Sequence, residues 1–164
     1  MALAKIVYAS MTGNTEEIAD IVAKKLEELG HTVDVDECTT VDAADFEDAD
    51  ICIVATYTYG DGELPDEIVD FYEDLADLDL SGKIFGVVGS GDTFYDYFCH
   101  SVDEFENQFS GLGFCRCHRA FLCNLYYAEQ IDRDTIWMTN GVQIPISRSR
   151  QREVNECMIS YYLG

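Results

Sequence analysis

The sequence predicts a doubly wound α/β fold built on a parallel sheet. Two continuous apolar runs, "ICIVA" (51–55) and "KIFGVVGS" (83–90), suit strands buried on both faces. Segments of 3.6-residue apolar periodicity stand between the strand-like runs, and strand and helix alternate through residue 112. With 164 residues and 48% apolar content, the chain reads as a single domain, 1–164.

Leu3 to Ala9 is an apolar run that predicts the first strand. Ile18, Ile21, Val22, Lys25, Leu26 and Leu29 follow at helical spacing until Gly30 stops the helix. "TVDV" alternates as a half-buried strand does, and "ICIVA" is the third strand. Pro65 suits a first helical turn, with Ile68, Phe71, Tyr72, Leu75 and Leu78 as the apolar stripe behind it. "KIFGVVGS" is the next buried strand, and Val102, Phe105, Phe109 and Leu112 mark the helix after it.

The character of the chain then changes. Residues 1–108 hold 27 acids and 4 lysines, whereas residues 109–164 hold 5 acids and 6 arginines. In this segment "FLCNLYY" (121–127) predicts a strand. "GVQIPI" (141–146) is its second half, or an edge strand because of Pro145. Residues 148–162 predict a helix with Val154, Cys157, Met158 and Tyr161 on one face. Arg148, Arg150 and Arg152 stand unfavourably at its N-terminus. A foreign or frame-shifted C-terminus is the competing explanation for the segment. Cys115, Cys117, His118 and Cys123 have poor spacing for zinc ligation, and the chain offers no metal site.

In a doubly wound sheet the ligand site lies beyond the carboxyl ends of the strands. Three loops converge there: "SMTGNT" (10–15), "TYTYGDGELP" (56–65) and "GSGDTFYDYFC" (89–99). The first places hydroxyls, amides and backbone N–H groups just ahead of a helix, where four orphan donors and the dipole favour an anion such as a phosphate. On its own such a turn is as readily a plain N-cap. The other two loops supply Gly-rich backbone and aromatic faces that suit a flat heteroaromatic ring, although some of these aromatics also read as edge-of-core packing. "DGELPDE" lacks the alternating oxygen ligands of a calcium loop. Together the loops describe a site for a phosphorylated planar cofactor.

These three motifs, in this order and on these strands, resemble the flavodoxins over about residues 1–108. The resemblance implies a flavodoxin-like five-stranded parallel sheet, order 2-1-3-4-5, with helices on both faces, residues 109–164 supplying the fifth strand and last helix. It further implies noncovalent binding of FMN, the phosphate held by Ser10, Thr12, Gly13, Asn14 and Thr15 with help from Thr58, and Met11 beside them among the cofactor-binding residues. Tyr59 lies on one ring face and Tyr95 stacks on the other. Backbone around Ser90, Gly91, Asp92, Tyr97 and Cys99 bonds the polar edge, and Phe98 faces either the ring or the core. The peptide between Gly60 and Asp61 turns over when the family's flavin gains an electron, a motion that glycine allows at little steric cost.

The implied activity is a low-potential one-electron carrier rather than an enzyme. A carboxylate ~12 Å from the ring opposes a new negative charge by roughly 0.3 to 1.4 kcal/mol for effective dielectrics of 80 to 20. The formal charge of -22 excludes nucleic acid and anionic membranes as partners. Basic-faced redox partners, such as a flavodoxin reductase and acceptor oxidoreductases, are expected to meet a monomer. No apolar run approaches the ~20 residues of a membrane span, "MALAKIVYAS" lacks signal-peptide character, and the seven cysteines have no framework spacing. A cytoplasmic protein is expected. His31, His100 and His118 are scattered and form no acid/base constellation. Two other classes compete: a quinone-reductase-like FMN oxidoreductase on the same fold, and a flavin-free receiver or interaction module. A receiver needs an acidic cluster after its first strand, and "SMTGNT" has none.

Overall fold

The computed structural model describes residues 1–91, 96–110, 114–118, 121–139 and 141–163. It divides into two compact units, Met1–Gln108 and Phe109–Gly164. In the first, β1 (Leu3–Tyr8), β2 (Thr32–Glu37), β3 (Ile51–Tyr57) and β4 (Ile84–Ser90) form one parallel sheet in the order β2-β1-β3-β4. The chain moves one way from β1 to β2 and the other way to β3. The loops after β1 and β3 therefore part at the topological switch point.

Side chains alternate across this sheet. Ile6, Ile53 and Ala55 pack with Ala19 and Ala23 of α1 (Asn14–Glu28), and Val22 and Leu26 join them. The small alanines at i and i+4 bring this helix close to the strands. The buried face is thus shifted from the expected stripe: Ile21 and Leu29 are exposed. Gly30, in the left-handed region at φ 89°, ends the helix, and the N–H of His31 reaches back to the Leu26 carbonyl. On the opposite face, Cys52 donates to the carbonyl of Phe46, which lies in a 3-10 turn (Ala43–Asp48) absent from the sequence expectation. Phe46 meets Phe71 of α2 (Asp66–Leu75) edge-on at 5.3 Å. Tyr72 in turn meets Phe105 of α3 (His100–Ser110) at 5.0 Å. Pro65 caps α2 rather than entering its first turn.

Two expectations for β4 and beyond are corrected. β4 is half-buried, with Ile84 exposed, because among the described residues it is the last strand of its sheet. The expected fifth strand, β6 (Phe121–Asn124), pairs antiparallel with β5 (Phe114–His118) instead of joining the parallel sheet. Only two residues separate β5 and β6, a spacing that suits a hairpin, whereas parallel pairing needs a crossover of a dozen or more.

In the second unit β7 (Ala128–Ile131), β8 (Thr135–Met138) and β9 (Gln143–Pro145) form an antiparallel sheet with Pro145 on the edge strand. α4 (Gln151–Leu163) begins later than expected, so Arg148 and Arg150 precede it. Arg150 pairs with Glu153, and Arg152 with Glu156 at 2.8 Å, which offsets the unfavourable positive charge at this helix start. Val154 is buried with Cys115, Cys117, Cys123, Leu125, Ile136 and Ile146; Cys157 and Met158 lie at the margin, and Tyr161 is exposed. Burial pushes the thiol of Cys117 up to about 11 and that of Cys123 up to about 12.

Candidate functional site

Five residues, Ala9 to Gly13, carry the chain from β1 to α1. The Gly13 N–H donates to Ser10 Oγ at 3.1 Å, which folds the loop back on itself. Gly13 takes φ 87° and occupies the cap position, so no side chain accepts from the first turn. The N–H groups of Asn14, Thr15 and Glu16 keep their bonding capacity, while the Glu17 N–H closes the first helical bond to the Gly13 carbonyl. Thr15 is buried, and its Oγ1 lies 2.9 Å from Ser90 Oγ at the end of β4. This bond joins the first loop to the third.

The second loop is a tight hairpin. The Tyr59 and Glu63 N–H groups each donate to the other residue's carbonyl at 2.9 Å, and the Gly62 N–H donates to the Tyr59 carbonyl at 3.2 Å. Gly60 has φ 51° while Asp61 has none of this left-handed character, the pattern of a II′ turn. Gly62, at φ 108°, approaches the third loop so closely that a Cβ there would lie 3.0 Å from Tyr97 Cβ. Ser101 of α3 donates its N–H to Thr58 Oγ1 and its hydroxyl to the Glu63 carbonyl, each at 3.2 Å. His100 Nδ1 lies 2.8 Å from the Gly62 carbonyl.

The third loop crosses itself at Gly91, where a Cβ would meet Cys99 Sγ at 2.8 Å and the Phe98 ring at 3.2 Å. Cys99 is the one non-glycine residue with positive φ among the described residues. Burial raises its thiol pKa, and Asp103 adds to this. Tyr57 donates to Glu67 Oε1 at 2.9 Å. Its phenol is pushed up to about 12, first by burial and then by that carboxylate.

Between the loops lies a cavity of about 610 Å³. Met11, Thr12, Asn14, Thr15, Thr58, Tyr59, Gly60, Ser90, Gly91, Tyr97, Phe98 and Cys99 line it, all named from the sequence. Tyr57 lines it too; its place directly before Thr58 was the available signal. Ser10, Gly13 and Asp61 are not lining residues: Ser10 and Gly13 shape the loop behind the wall, and Asp61 points to solvent. Asp92 and Tyr95 lie outside the described residues. Around the cavity Met11, Tyr59, Tyr97 and Phe98 are 68%, 49%, 54% and 50% exposed, so Phe98 faces the cavity rather than the core. No cation is among the lining residues. A glycine-capped helix start beside exposed aromatic faces fits a phosphate joined to a flat ring, and the close glycine crossings leave room for no further side chain.

A family model described as flavodoxin matches residues 6–133. A solved Streptococcus pneumonia flavodoxin is 78% identical, covering 68% of this chain and 77% of its own, with a TM-score of 0.67. The probable flavodoxin 2 of Bacillus subtilis is 50% identical over 107 residues, 65% of this chain and 71% of its own length. A flavodoxin of Maridesulfovibrio salexigens is 38% identical over 116 residues, 69% of this chain and 80% of its own.

Proposed function

Since this chain belongs to the flavodoxin family, we propose that the cavity between its three loops is where it holds FMN and works as a one-electron carrier, not as an enzyme. The observation that carries this reading is the glycine-capped start of α1 opening onto a cavity ringed by exposed aromatics. When bound, the flavin supplies the electron chemistry, taking up and releasing electrons singly. The protein binds, orients and shields. Thr12, Asn14 and Thr15, with the first-turn N–H groups, hold the phosphate by dipoles alone. Thr58 accepts from Ser101, so its own hydroxyl proton is left to donate into the cavity. Tyr59 covers one ring face, and the backbone at Ser90, Gly91, Tyr97 and Cys99 meets its polar edge.

Electrons pass to and from redox partners. Partners with a basic face suit the acid excess of residues 1–108, and a monomer suffices for the encounter. No helix among the described residues is long and apolar enough to cross a membrane. The seven cysteines lack the spacing of a disulfide framework, and a reducing, cytoplasmic setting suits them.

The purified protein is expected to carry one FMN per chain. Mass spectrometry of the released chromophore and the visible spectrum during stepwise photoreduction test this, and FAD or no flavin at all would overturn it. Thr12→Ala or Asn14→Ala should weaken FMN about tenfold and riboflavin hardly at all, since each removes a hydrogen bond to a charged group worth about 1.5 kcal/mol. Equal losses for both ligands in calorimetric titrations would move the phosphate elsewhere.

Gly60→Ala tests the turn. The side chain finds space, with only Glu63 Oε2 at 3.9 Å, but φ 51° is strained for alanine by about 1 kcal/mol. If only one of its two forms keeps this turn, the first one-electron couple should shift by roughly 50 mV, at ~59 mV per tenfold change for one electron. The second couple should move less. Equal shifts of both in a potentiometric titration would mean that this turn does not distinguish the two steps.

A further inference from the structure

The first turn of α3 grips the hairpin at both ends. Ser101 holds Thr58 on the entering side and Glu63 on the leaving side. His100 holds Gly62, the residue through which the hairpin leaves its tip. A carbonyl oxygen only accepts, so Nδ1 of His100 carries the proton and donates. The Tyr97 ring meets the imidazole edge-on at 6.1 Å, and Glu104 Oε1 lies 3.7 Å from the same Nδ1, beyond hydrogen-bond reach. Tyr59, Gly60 and Asp61 take none of these bonds, and of the three Tyr59 is tied within the hairpin to Glu63, which leaves Gly60 and Asp61 at the tip.

We propose that His100 is a positioning residue for electron transfer: its bond to the Gly62 carbonyl fixes the base of the 59–63 hairpin, confining backbone motion to the Gly60–Asp61 peptide. A hairpin anchored at 58, 62 and 63 changes shape only between those points. Without the His100 bond the Gly62 carbonyl turns to water, and the movable stretch grows from the tip to include Gly62, with Ser101 still holding Thr58 and Glu63. The effect on the hairpin follows from this geometry alone; the effect on the potentials rests on the FMN reading.

The amides of Tyr59, Gly62 and Glu63 report the hairpin directly, because each is bonded inside it. In flavin-free protein, hydrogen exchange at these three amides should accelerate about fivefold in His100→Ala, the factor that one ordinary net hydrogen bond of about 1 kcal/mol supplies. Exchange in the β1 core should stay unchanged. His100→Asn places an amide N–H where Nδ1 stood and should restore the slow exchange. Unchanged exchange in His100→Ala, or an asparagine variant that behaves as the alanine one, would overturn the anchor. With FMN bound, the first one-electron potential should move in His100→Ala, return in His100→Asn, and leave the second couple in place. A first potential unmoved by alanine would overturn the redox role. Failure of the parent protein to bind FMN would instead overturn the carrier reading, and the exchange measurement would still decide the anchor.

Discussion

Gly89→Ala is expected to cost the first unit about 3 kcal/mol, at the upper end of what overpacking a tight site does. Gly89 pairs with Thr56 in the β3–β4 ladder, and α3 crosses directly over it. An added Cβ would overlap Val102 Cγ2 and lie 3.0 Å from the Thr56 carbonyl oxygen. The valine methyl can be displaced, but the carbonyl belongs to a buried strand and has nowhere to go. α3 would have to lift, taking with it Ser101 and His100, which hold the hairpin beside the cavity. FMN affinity should therefore fall along with stability. Urea unfolding of Gly89→Ala, Val102→Ala and the double variant separates the contributions. The double variant should be more stable than the sum of the two single losses implies, by about 1 kcal/mol or more, as expected for residues in direct contact. Strict additivity, or an unchanged midpoint for Gly89→Ala, would mean that α3 does not press on the strand here.

The second large effect is alkaline. Burial pushes the thiol of Cys38 up to about 11 and that of Cys52 up to about 12, from an ordinary value near 9. For Cys38 the carboxylates of Glu67 and Glu37 add to the rise. Both residues are almost wholly excluded from solvent. A thiol is neutral while protonated, so below pH 9 both the folded and the unfolded chain hold these protons and stability is unaffected. Above pH 9 the unfolded chain releases them while the folded one keeps them, and stability falls until the folded groups ionise in turn. At pH 10 the two thiols together should cost about 3 kcal/mol relative to pH 7. Urea titrations at the two pH values measure this drop. Cys52→Ala should make the measured drop smaller by about 1.4 kcal/mol, its own share beside the other raised thiols, and because the drop is a difference within one variant, the cavity made by the substitution cancels. A drop of equal size in the parent and in Cys52→Ala would place its origin elsewhere.

Where local pattern and burial agreed, the fold was legible from sequence. "ICIVA" is buried from Cys52 to Ala55, as a continuous apolar run in a central strand must be. "KIFGVVGS" reads the same way, yet Ile84 is exposed, because apolar content does not tell how many strands flank a given one. In α1 the periodicity was right and its phase was off. The stripe through Ile21 and Leu29 counts hydrophobicity, whereas the contact face runs through Thr15, Ala19 and Ala23, where smallness matters more. The site loops were legible residue by residue since their chemistry is local: Gly13 must take a positive φ, and Thr15 must follow it at the helix start. What is not local was not legible. Nothing within "TYGDGELP" says that His100 and Ser101, some 40 positions on, will hold it. The second unit was the least legible. Its strands have three to five residues each, too short for alternation to separate them from loops, and three of them, β5, β7 and β8, went unassigned.

The neutral phosphate corner has a kinetic side. Residues 1–108 carry a net charge of -23, so a dianionic ligand approaching from solution is repelled over its whole path until the last few ångströms, where the bare N–H groups of α1 take over. Capture must climb a barrier that added salt lowers, within a Debye length of about 10 Å at 0.1 M. Escape begins from short-range dipoles that salt scarcely reaches. Such a protein loads its cofactor slowly and keeps it, and the step hastened by ionic strength is loading rather than loss.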